Sequence, residues 1–184
     1  MKKVSFFLIS ALLFVTMSCD KEDASLGSDD FSELKSGRKV LTFSAHLTGD
    51  QEVAVPPVIT EATGQALFQL SKDGEELSFK VIVDGIENIT MAHIHVGPAG
   101  QNGPVVLWLY PAASPAQLIP GPFEGILTQD TKTSANLVGE LAGKEMSDLV
   151  DLMLAGKTYV NVHTSQYPAG EIRGQIRLNG PKNK

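Results

Sequence analysis

"SKDGEELSFKVIVDG", residues 71–85, holds the pattern on which the fold rests. Leu77, Phe79, Val81 and Val83 alternate with Ser78, Lys80 and Ile82, the period of a strand with one face toward a core. Asp73-Gly74 stands just before them, and "GQALFQLS" (64–71) alternates on the other side. That arrangement predicts a β-hairpin, since Asp-Gly accepts the backbone angles a tight turn demands.

Working outward, short β-type runs recur with turn residues between them. They are "VLTFSAHLTG" (40–49), "ITMAHIHVG" (89–97), "PVVLWLY" (104–110), "FEGILTQ" (123–129), "KTYVNVHTS" (157–165) and "GEIRGQIRLN" (170–179). Repeated short strands of this kind predict an all-β, antiparallel β-sandwich. One segment departs from the period: in "KEMSDLVDLMLAGKT" (144–158), Met146, Leu149, Val150 and Met153 lie at helical spacing and Gly156 closes the run. One short amphipathic helix with a glycine cap is expected there. "PAASPAQLIPGP" (111–122) carries four prolines and is expected to be an ordered surface loop without regular structure.

The chain has 184 residues, of which 42% are hydrophobic and 20% charged, and this suits one folded domain. A net charge of −6 without a basic stripe argues against nucleic acid as a partner.

The N-terminus reads as a targeting segment. Lys2 and Lys3 precede an uncharged apolar run, Val4 to Val15, whose 12 residues fall short of a bilayer span of about 20. "TMSC" (16–19) then resembles the lipobox of bacterial lipoproteins and makes the lone cysteine, Cys19, the expected lipidation site and membrane anchor. Residues 1–18 are thus expected to be a lipoprotein signal peptide, and 19–39 the lipidated cysteine with a flexible polar linker. The folded domain is expected over 40–179 and a short tail over 180–184. "DKEDA" (20–24) resembles the Lys-acidic export signal of surface lipoproteins in some Gram-negative lineages. Its implication is an extracytoplasmic outer-membrane lipoprotein exposed at the cell surface, with a periplasm-facing location as the alternative.

Chemistry concentrates in two strands. In "MAHIHVG" (91–97), alternation places His93 and His95 on one face and Ala92 and Ile94 on the other. In "TYVNVHT", Tyr159, Asn161 and His163 share a face; in "GEIRGQI", Glu171, Arg173 and Gln175 share one. "SQYPAG" (165–170) is short enough to join the last two as an antiparallel hairpin. If the "MAHIHV" strand lies beside it, His93, His95 and His163 converge outside the core, as donors for Zn²⁺ or Cu²⁺. Glu171 is expected to orient an imidazole, and Arg173 to support the sheet face. His46 shares its face with Thr42, Ser44 and Thr48 and reads as an exposed strand histidine. The sequence carries no Gly-x-Ser-x-Gly motif, and "GPAGQNGP" (97–104) does not lead into a helix as a phosphate loop would.

"LTGDQEVAVPPVITEATGQALFQL", "ITMAHIHVGPAGQNGPVVLWL" and "YVNVHTSQYPAGEIRGQI", in this order, resemble the CHRD domain, named from chordin. The resemblance spans about residues 40 to 178 and implies a β-sandwich binding module, whose ligand is expected to be a metal ion or an extracellular protein. The His-x-His strand is also similar to the copper strand of Cu/Zn superoxide dismutase, which makes a copper- or zinc-dependent redox enzyme the alternative. Three motif histidines fall short of that enzyme's full ligand set, which favours metal binding over dismutation.

Overall fold

The computed structural model describes residues 40–180. The expected signal peptide, Cys19 and the linker lie outside the described residues. Eight strands follow in order: β1 (Thr42–Thr48), β2 (Thr63–Leu70), β3 (Leu77–Val96), β4 (Val105–Tyr110), β5 (Ile119–Lys132), β6 (Thr158–Thr164), β7 (Ile172–Gln175) and β8 (Arg177–Leu178). One α-helix, α1 (Met146–Leu154), sits between β5 and β6. The all-β, sandwich-like class read from the sequence holds.

β3, which begins with "LSFKVIV", organises the fold. Its first half pairs antiparallel with β2, Leu70 opposite Leu77, around a turn in which the Asp73 carboxylate accepts from the Ser71 hydroxyl and the Glu75 amide. The expected break between "KVIVDG" and "ITMAHIHVG" is not a chain reversal. β3 runs through it as one 20-residue strand, bent where Gly85 and Asn88 take positive φ. Gly85 adopts such angles freely and asparagine tolerates them better than most residues. Beyond the bend, the same strand pairs with β6 on one side and β4 on the other.

β3 therefore belongs to both walls of the sandwich. One wall carries β5, the first half of β3, β2, β1 and β8; the other carries β4, the second half of β3, β6 and β7. The contact of Thr48 in β1 with Arg173 in β7 closes the circuit into a flattened barrel. Gly174 makes that closure possible, because any Cβ there would run into the His46 carbonyl. Between the walls lies a continuous aliphatic core with Phe43, Leu47, Val81, Val83, Ile94, Val160, Val162 and Ile172 at its centre.

The helix is as expected, with Met146, Leu149, Val150 and Met153 buried. Gly156 takes φ 64°, its N–H bonds the Met153 carbonyl and that of Lys157 bonds Leu152, which forms a Schellman cap. The proline-rich loop needs a correction. Its last residues, Ile119–Pro122, begin β5 and pair with β3, Ile119 opposite Ile89 and Pro122 opposite Glu87. β5 pairs with β3 alone, so a proline there can turn its missing N–H outward without breaking a second ladder.

Candidate metal centre

The hairpin expected over β6 and β7 forms, with Asn161 opposite Arg173 and Tyr159 opposite Gln175. The adjacency on which a shared histidine site depends is present too. β6 lies against the second half of β3, where Met91 faces His163, His93 faces Asn161 and His95 faces Tyr159. Alternation does the rest: Ala92, Ile94, Val160 and Val162 enter the core, and the imidazoles all project to the opposite side.

That side is not open, which corrects the expectation of an outward polar face. His93, His95 and His163 are only 3%, 8% and 7% exposed. Two connections cover them. The segment between β1 and β2 brings Glu52 onto Asn161, whose amide donates to the carboxylate at 3.0 Å. The glycine-rich segment between β3 and β4 is held by Arg173, which donates to Asn102 Oδ1 and to the carbonyls of Pro98 and Gln101. The Asn102 amide in turn donates to the Val53 carbonyl, tying the two covers together.

One ligand nitrogen from each of the three histidines lies within 4.8 Å of the others. His93 Nδ1 and His163 Nε2 are 3.2 Å apart. Two nitrogens bound at about 2.0–2.1 Å to one tetrahedral ion would be about 3.3 Å apart. The tautomers are set by backbone carbonyls. His163 Nδ1–H donates to Pro168 O and His95 Nδ1–H donates to Gly103 O, both at 2.9 Å. Each of these rings thus turns its Nε2 lone pair inward. Nε2 of His95 is buried and has no hydrogen-bond partner. A buried acceptor without a donor costs about 1–3 kcal/mol, and a cation is a natural recipient for the lone pairs.

The imidazoles are neutral at ordinary pH, the form that ligates metal. Burial, reinforced by His163 and His95, pulls the pKa of His93 down to about 3. Burial likewise brings His95 to about 4, against the opposing hydrogen bond it donates to the Gly103 carbonyl. His163 is lowered by burial as well. His95 stacks on Tyr159 at 4.8 Å between centroids, and the Arg173 guanidinium lies 3.4 Å above the same ring. On the other flank, the Trp108 ring meets His93 edge-on at 4.2 Å.

Among the described residues, no other group of histidines, cysteines or carboxylates is disposed to hold a metal ion in this way. The residue set can hold one ion. A CHRD domain model matches residues 43–176, most of the chain. The chain belongs to the CHRD family. No curated protein matches it.

Within this CHRD domain, the remaining sequence expectations divide. His46 is exposed on β1 and stands apart from the cluster. Arg173 donates to the segment between β3 and β4 and stacks on Tyr159. Glu171 does not orient an imidazole: its carboxylate accepts from the hydroxyls of Thr60 and Thr164, each at 2.7 Å. The β6–β7 register continued by one residue puts Glu171 opposite His163, but the two threonine hydroxyls take up its carboxylate and the ring of His163 bonds the turn at Pro168.

Glu52 was not legible as a site residue. Burial raises its carboxyl to about 7 against the pull of Arg173. A lone acid in "EVAVPPV" gives no periodic signal, since its place depends on how a cover segment folds back over the sheet. Gly170 makes room for that contact. It takes φ 131°, and a side chain there would run into the Asn161 amide and the Glu52 carboxylate.

Proposed function

We propose that this chain is a lipid-anchored envelope protein that displays its CHRD domain as a binding module, and that the module takes up a transition metal ion, zinc or copper, through His93, His95 and His163. The observation that carries the metal reading is the pair of carbonyl-fixed tautomers, which leave inward lone pairs on a buried, shared space. Asn161 and Arg173 act as the frame that keeps the two covers closed over it.

The anchor reading is supported by Lys2, Lys3, the apolar run and Cys19, and surface exposure by "DKEDA". Cys19→Ala should release the protein from membranes; a variant retained in the membrane with an attached lipid contradicts the assignment. Protease added to intact cells should digest the domain, and an untouched domain would place it facing the periplasm.

Trp108, the one tryptophan of the chain, reports on the centre directly. Cu²⁺ should quench its fluorescence with a stoichiometry of one ion per chain, Zn²⁺ should compete without quenching, and His93→Ala should abolish both effects. Failure of the intact protein to take up either ion, or an unchanged His93→Ala titration, overturns the reading. Superoxide removal by the copper-loaded protein, lost in His93→Ala, would favour the redox enzyme instead.

A further inference from the structure

We propose that the ion this centre favours is copper in its cuprous state, and that the thioether of Met91 is a further ligand to it. This inference rests on the metal-binding reading above and names the metal.

Position comes first. Met91 lies two residues before His93 on β3, so alternation puts it on the face of His93 and His95, and its partner across the ladder is His163. Directly opposed residues of antiparallel strands hold their Cβ atoms about 4.5–5.5 Å apart. An unbranched side chain with three rotatable bonds can swing its sulfur across such a gap. Met91 is half-buried and stands apart from the aliphatic core cluster, so packing does not commit its sulfur elsewhere.

Charge points the same way. The three histidines are neutral donors, and neither a thiolate nor a carboxylate stands among them. A cation, Arg173, lies against the ring on which His95 stacks. Glu52, the nearby acid, bonds Asn161 and not an imidazole. The cost of taking an ion out of water grows with the square of its charge, so a monocation meets about a quarter of the penalty of a dication of the same size. Three imidazoles suit copper or zinc equally, but a thioether is a soft donor that selects Cu(I).

The test uses the full chain, titrated without oxygen against a Cu(I) chelator and separately against a Zn²⁺ chelator. Met91→Leu keeps the volume of the side chain and removes only the sulfur. The expected result is Cu(I) affinity lowered by about tenfold or more, with Zn²⁺ affinity unchanged. X-ray absorption of the Cu(I)-loaded wild-type protein should show a sulfur neighbour that the variant lacks. Equal Cu(I) affinities, or a Cu(I) shell free of sulfur in the wild type, overturn the role of Met91. Wild-type protein that binds neither ion overturns the metal-binding reading itself, and this inference with it.

Discussion

The second half of β3, β6 and β7 present two buried faces that differ in every physical respect. Ile94, Val160, Val162 and Ile172 on the inner face are held by dense apolar contact, and the Thr158 hydroxyl at the start of β6 is the one atom on that side left without a hydrogen-bond partner among the described residues. His93, His95, Asn161, His163 and Arg173 on the other face are almost as well buried, yet nitrogens of His93 and His95 and the Asn161 Oδ1 have no hydrogen-bond partner. The first face stabilises the fold. The second costs stability that simple packing would not, and it is built from groups that gain partners only when something enters.

The largest expected effect comes from exchanging the faces' roles by truncation. Ile94→Ala should lower unfolding free energy by about 2–5 kcal/mol in chemical denaturation, because it opens a cavity in the core. His93→Ala, one residue away, should cost clearly less in metal-free protein, since it also removes an unpaired buried nitrogen. An equal loss would erase the distinction between the faces. With metal at about a hundredfold its dissociation constant, the wild type should gain about 2.7 kcal/mol and His93→Ala should gain nothing.

Gly170→Ala should be next, at about 1–3 kcal/mol, because it combines an unfavourable φ with a collision against Asn161 and Glu52. The same denaturation experiment measures it. A neutral substitution would mean that the Glu52 cover is not pressed onto the histidine face.

The two kinds of titrating group on the polar face respond to pH with opposite sign. His93 and His95 are depressed to about 3 and about 4, so between there and the unfolded value of about 6.5 the unfolded chain binds more protons. Their contribution is complete above about 6.5 and is lost as pH falls through that window. Metal-free stability should accordingly drop on acidification, and His93→Ala should flatten the drop. Glu52 is raised from 4.5 to about 7, so its contribution is present below 4.5 and lost as pH rises through 7. Glu52→Gln should therefore gain on the wild type across the interval from 4.5 to 7, the smallest of these effects. A stability difference that does not vary with pH would show that the carboxyl is not buried.

Much of this architecture could be read without coordinates, because it follows from period and punctuation. Alternation in "LSFKVIV" and "MAHIHV", the helical spacing around Leu149 and the short "SQYPAG" connection each have a local physical cause. What escaped the reading depends on contacts distant in sequence. The continuity of β3 through Gly85 and Asn88 shows only once β5 and β6 line the same strand. The entry of Pro120 and Pro122 into β5 depends on its having a single neighbour. At the centre, alternation chose the three histidines, but their burial came from loops, and loops carry no period. For the same reason the acceptors that orient His95 and His163 are the carbonyls of Gly103 and Pro168 rather than the carboxylate of Glu171, since any residue supplies a carbonyl.

The central claim is that donors from two strands, turned away from the core, hold one ion. A crystal structure of the Zn²⁺-loaded protein, with anomalous differences measured at the zinc edge, tests it most directly. The account predicts one strong peak on the polar side of β3 and β6, with a nitrogen of each of His93, His95 and His163 at about 2.0–2.1 Å. A peak bound elsewhere, on His46 or on surface carboxylates, with the three imidazoles left uncoordinated, would contradict it.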